Sequence, residues 1–118
     1  MRIEVKGRNV VVADELKERI QKRCEKVARQ ISPLAVMEVE LSEERNPSIK
    51  EGQIVECTLR LKGVTLRSRS AATTMTHAVN EAADDLARQV KRHRDKRRDR
   101  RTARAAAASD EVRPAASP

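Results

Sequence analysis

The sequence predicts an α+β domain, β-α-β-β-β-α, in which two helices pack on one face of a four-stranded antiparallel sheet. Two stretches repeat apolar residues every three or four positions, and four others alternate apolar with polar. Each alternating stretch has a single apolar face, so helices should cover one side of the sheet and leave the other wet. A domain of roughly 100 residues fits within the 118-residue chain.

Arg2 to Lys6 alternates, with Ile3 and Val5 on one face, and Gly7-Arg8-Asn9 should turn the chain. Asp14 and Glu15 then suit the positive end of a helix running to about Gln30, with Leu16, Ile20, Cys24, Val27 and Ile31 as its stripe. Pro33 disfavours helix in the residue before it and so ends this element. From Val36 to Glu43, Met37, Val39 and Leu41 face inward. Asn46-Pro47 and Gly52 mark a loop, after which Val55, Cys57, Leu59 and Leu61 point inward along Gln53–Leu61. Lys62-Gly63 predicts a two-residue hairpin into a last strand, Val64–Ser70. Outward residues Glu38, Glu40, Glu56, Arg60, Arg67 and Arg69 suit a solvated sheet face.

The final helix should begin at Thr73 or Thr74, whose hydroxyl can cap a free first-turn N–H. Its stripe is Met75, Val79, Ala82, Leu86, Val90 and His93. Beyond His93 the stripe stops while helix-forming residues continue to about Arg101, most of them basic. The packed domain is therefore expected over residues 1–101. Residues 102–118, rich in Ala, Ser and Pro with no apolar stripe, are expected to be a disordered tail or the start of a linker.

Charge follows the same division. Residues 1–87 carry 15 Lys and Arg against 14 Asp and Glu. Residues 88–104 carry ten Lys and Arg against Asp95 and Asp99, so this segment accounts for the chain's net charge of +8. An excess so localised points to an anionic partner and not to general solubility. Arg88, Lys91 and Arg92 stand on the outer surface of the last helix. On the first helix Lys22, Lys26 and Arg29 form a basic end, partly offset by Glu18 and Glu25. These six are the candidate residues for holding the phosphates of such a partner.

Phe, Tyr and Trp are absent. Single-strand readers that stack bases on aromatic platforms are thereby disfavoured, and contacts should rest on phosphate and on shape. No catalytic constellation is visible. His77 and His93 lie sixteen residues apart on one helix, roughly 24 Å. The three glycines form no phosphate loop, and no nucleophile, base and orienting group share a suitable spacing. Cys24 and Cys57 fall on inward faces, without the spacing of a metal site. Neither an enzyme nor a cofactor is expected. Met1 is followed at once by a strand pattern, and no apolar run nears the roughly 18 residues of a membrane span. A cytoplasmic protein is expected.

Three segments carry a specific resemblance: VKGRNVVVADELKERI at residues 5–20, Glu44-Arg45-Asn46-Pro47-Ser48-Ile49-Lys50, and the last helix. Within that helix the matching residues are Met75-x-x-Ala78-Val79 and Asp84-Asp85-Leu86-Ala87-Arg88-Gln89-Val90-x-x-His93. In this order and spacing the chain resembles the ribosome hibernation-promoting factors, or ribosome-associated translation inhibitors, over roughly residues 2 to 97. The resemblance implies a fold like a double-stranded-RNA-binding domain with an added first strand. It also implies binding to the small ribosomal subunit and its rRNA, between head and body, in competition with mRNA and tRNA. Lys26, Arg88 and Arg92 match RNA-facing positions of the family. Asp85 stands where the family is often basic, which puts one phosphate contact in doubt, and Thr76 stands where a Tyr is common. Long members add a domain that pairs ribosomes; the chain is expected to be either a short member or a truncated long one, and monomeric without that domain. The competing expectations are a general duplex-RNA binder and a transcription-modulating, protein-interaction module.

Overall fold

The computed structural model describes residues 1–46 and 48–112, with side chains to residue 106. The strands are β1 (Arg2–Arg8), β2 (Val36–Glu43), β3 (Gln53–Leu61) and β4 (Val64–Ala72), and the helices are α1 (Asp14–Ala28) and α2 (Met75–Val112). The sheet runs in the order β1-β2-β3-β4. β2 and β3, and β3 and β4, pair antiparallel as expected, but β1 pairs parallel to β2. This corrects the expectation of a wholly antiparallel sheet. The β1–β2 connection contains α1, and a helical crossover returns the chain to the end of the sheet from which it left.

Inward residues of the three later strands meet both helices. Met37, Val39, Leu41, Val55, Cys57 and Leu59 form the buried sheet face. Over it lie Ile20, Cys24 and Val27 of α1, and Ala78, Val79, Ala82, Leu86 and Val90 of α2. Ile3 and Val5 of edge strand β1 are only half-buried at the border of this core. Glu56, Arg60, Arg67 and Arg69 are exposed on the opposite face, where Arg69 pairs with Glu56 at 3.2 Å and Arg60 with Glu38 at 3.5 Å.

Two turns show how local chemistry positions these elements. β1 continues through Gly7, beyond the turn expected there, and the left-handed conformation falls on Asn9 (φ 60°). Gly7 is needed for a different reason: a Cβ there would collide with the carbonyl oxygen of Val10. At the hairpin, Leu61 pairs with Val64, leaving Lys62-Gly63 as the loop, and Gly63 takes φ 81°, a region that favours glycine.

α2 starts as the capping pattern requires, with Thr74 Oγ1 accepting from the His77 N–H at 3.2 Å. Its 38 residues extend it about 57 Å. Residues 102–112 continue the helix, in the segment expected to be a disordered tail or the start of a linker. Ala is the commonest residue there and the segment holds no Gly or Pro, so backbone propensity alone favours helix. Residues 113–118 of the expected tail lie outside the described residues.

Candidate nucleic-acid interface

Because α1 and α2 pack side by side on one sheet face, their outer surfaces form a common exterior. All six predicted residues are exposed on it, but they divide into three groups. Lys22 and Lys26 line a shallow depression along α1 together with Arg19 and Arg23, and Glu15 and Glu18 also line it. Arg23 reaches across to Asp84 of α2 at 3.7 Å, so one cation of this group is already partly answered by an acid.

Arg88, Lys91 and Arg92 fan over the solvent side of α2. Arg88 stands 3.8 Å from Asp85, a weak and exposed contact. Asp85 also accepts from Gln89 Nε2 at 2.9 Å, and the same amide donates to the Arg67 carbonyl of β4 at 2.6 Å. The acid that departs from the family pattern thus orients a clip between α2 and the sheet. Lys91 and Arg92 pair with no acid among the described residues and are free to meet phosphate.

Arg29 belongs elsewhere. It lines a groove of about 740 Å³ where the end of α1, the start of β2, the β3–β4 hairpin and the middle of α2 converge. Lys62, Arg94 and Arg97 line it too. The sequence counts Arg94 and Arg97 within the basic run but gives them no location. One signal was available: Arg97 follows Leu86, Val90 and His93 at helical spacing, so the apolar stripe ends in a cation.

The remaining chemistry is structural. Ser70 Oγ donates to Glu81 at 2.5 Å, and His77 Nε2 contacts Glu81 at 2.8 Å. The Ser70 hydroxyl, followed by His77, holds the Glu81 carboxyl below its ordinary range. With the carboxylate between the other two, the imidazole cannot take the serine's proton as a nucleophilic triad requires. Cys24 and Cys57 are buried, and burial pushes their thiols up to about 11 and about 12, the latter helped by Cys24. Thiols so seldom ionised make poor nucleophiles. Among the described residues, no cluster of three His, Cys, Asp or Glu could hold a metal ion, and no helix is long and apolar enough to cross a membrane.

Known proteins share this architecture. The chain is similar to a ribosomal subunit interface protein from Coxiella burnetii, with TM-score 0.64 and 21% identity over 79% of this chain and 97% of that one. It is also similar to the N-terminal domain of Thermus thermophilus Protein Y, with TM-score 0.69 and 24% identity over 79% and 99% of the two chains. At these identities the likeness shows the fold. No curated protein sequence matches significantly. The profile of one family does, across residues 3–98, from the first strand through the packed and early basic parts of α2. The chain therefore belongs to the sigma 54 modulation protein / S30EA ribosomal protein family.

Proposed function

We propose that this protein is a ribosome-associated hibernation factor that binds the small subunit through the outer surfaces of α1 and α2. Bound there, it covers the sites of mRNA and tRNA and so blocks initiation. The observation that carries the reading is the concentration of ten Lys and Arg within residues 88–104, on one projecting helix, in a chain of this family. Lys22, Lys26, Arg29, Arg88, Lys91 and Arg92 are the proposed contacts with rRNA phosphate. The protein acts in the cytoplasm, with no catalytic step.

Such binding depends steeply on salt, because each neutralised phosphate releases counterions. Six to ten contacts would lose roughly 10³–10⁵ in affinity between 50 and 200 mM salt. Co-sedimentation with purified subunits, with free duplex RNA and DNA as controls, tests the reading. The protein should pellet with small subunits and displace initiator tRNA. Equal affinity for any duplex, or undiminished tRNA binding at saturating protein, would refute it.

A further inference from the structure

The groove beside Arg29 is built unlike the rest of the basic surface. Ile31, Val36 and Leu61 contribute apolar lining over the buried Val90, and the half-buried His93 stands among them. Leu34, at the same groove, is 88% exposed and extends the apolar surface beside this lining. The cations around this apolar patch are Arg29, Arg60, Lys62, Arg94 and Arg97, of which Arg60 already pairs with Glu38 at 3.5 Å, and no acidic side chain lines it among the described residues. The volume, about 740 Å³, lies within the roughly 300–1,000 Å³ of sites that take small organic groups.

We infer that this groove receives one unpaired nucleotide of a bound RNA, its base against His93 and the apolar lining and its phosphates on the surrounding cations. The inference rests on the RNA-binding reading and adds to it a subsite. Charge alone requires an anionic occupant, and apolar lining requires one with a hydrophobic face. A nucleotide has both, and imidazole and guanidinium planes can stack a base where Phe, Tyr and Trp are absent. Continuity favours RNA over an acidic peptide. Arg94 and Arg97 also line a second cleft with Arg98 and Arg101, so cations lead without interruption from the groove along α2. A polyanion following that track passes the groove mouth. A base-paired nucleotide cannot enter, because its faces are covered by its neighbours in the stack.

The test uses full-length protein and two RNA hairpins that differ only in a single bulged 2-aminopurine. The bulged hairpin should bind about tenfold more tightly, as one stacked base is worth, and its fluorescence should change on binding. Leu34→Ser and His93→Ala keep the charge of the groove. Both should abolish the preference while leaving affinity for the paired hairpin unchanged, with melting curves confirming the fold. Because Leu34 is exposed, its substitution remains informative even if His93→Ala melts early. Equal binding of the two hairpins by a protein that still pellets with small subunits would overturn the subsite and spare the functional reading. Failure to pellet at all would remove the functional reading itself. Displacement of neither hairpin but tight capture of a Glu/Leu peptide, or self-association lost in Leu34→Ser, would assign the groove to a protein partner and overturn the inference.

Discussion

The two halves of α2 share one continuous backbone and nothing else. From Met75 to Val90 the helix presents Ala78, Val79, Ala82, Leu86 and Val90 to the core, each almost wholly buried. Polar clips add to this packing: Ser68 Oγ donates to the Ala82 carbonyl at 2.8 Å, Ser70 Oγ to Glu81, and Gln89 to the Arg67 carbonyl. Past Val90, among the described residues, only His93 and Asp95 are even half-buried, and no hydrogen bond or ion pair ties that half to another element. The first half is held by the protein. The second is held by its own backbone, and its cations are exposed. On the proposed function, a single helix serves as both anchor and probe, and the rigidity of the anchor sets where the probe points.

The largest test strikes the anchor. Leu86 is 1% exposed between sheet and helices, so Leu86→Ala should cost about 2–5 kcal/mol through lost transfer energy and the cavity left behind. For a domain of ordinary marginal stability that is a large fraction of the total. A chemical melt should show the midpoint fall sharply. A change below about 1 kcal/mol would mean the first half of α2 is not integral to the core.

Two residues further along, the same helix should respond in the opposite way. Arg88→Glu with Arg92→Glu removes no buried contact and should leave stability within about 0.5 kcal/mol. It exchanges two proposed phosphate attractions for repulsions, so small-subunit affinity should collapse and the salt slope should fall by roughly one for each lost contact. A variant that melts normally and binds like the parent would show that the outer face of α2 is not the RNA-facing surface.

Much of this division is legible in the sequence, and the places where it is not have physical causes. Strands β2 and β3 follow from alternation alone, because each buries one full face. The stripe Met75–His93 likewise locates the anchor. The parallel β1–β2 pair escapes, since alternation reveals which face of a strand is buried but not which direction its neighbour runs. Gly7 escapes because it is needed for a close approach to Val10, and its φ gives no sign of this. The basic surface is legible as charge but not as geography. Linear spacing assigns Lys22, Lys26 and Arg29 to one helix face, while the fold sends Arg29 to a groove completed by Lys62, Arg94 and Arg97. Only tertiary packing brings the hairpin tip to the middle of α2.

A smaller effect should appear in local stability. Helix without packing is marginal in water even with good propensity. Amides from Ala78 to Val90 should exchange only on global unfolding in the free protein, and those beyond about Arg98 should exchange at nearly the rate of an open chain. Bound to the ribosome, the latter should become protected. Strong protection out to Val112 in the free protein would erase the contrast between the halves.

The smallest expected effect is acid-dependent and confined to the anchor. Of the clips between α2 and β4, the Ser70–Glu81 bond depends on an ionised carboxylate. The Ser70 hydroxyl, with His77 beside it, lowers the Glu81 pKa in the folded state, against a smaller opposing effect of desolvation. A carboxyl whose folded pKa lies below its unfolded value stabilises the fold above the unfolded pKa, near 4.3, and loses that contribution as pH falls through the folded value. Glu81 is exposed, so solvent and salt reduce the effect. Replacing it by Gln keeps a hydrogen-bond acceptor but removes the titration. The parent should melt slightly above Glu81→Gln at about pH 6, and the gap should close as pH falls through the lowered folded pKa and the parent's carboxylate is protonated. Arg88→Glu with Arg92→Glu, lying beyond this clip, should leave the gap intact when combined with Glu81→Gln, as distant and unshared sites do. A gap that does not change with pH would show that Glu81 holds α2 to the sheet through shape alone, and that the anchor carries no titratable tie at that point.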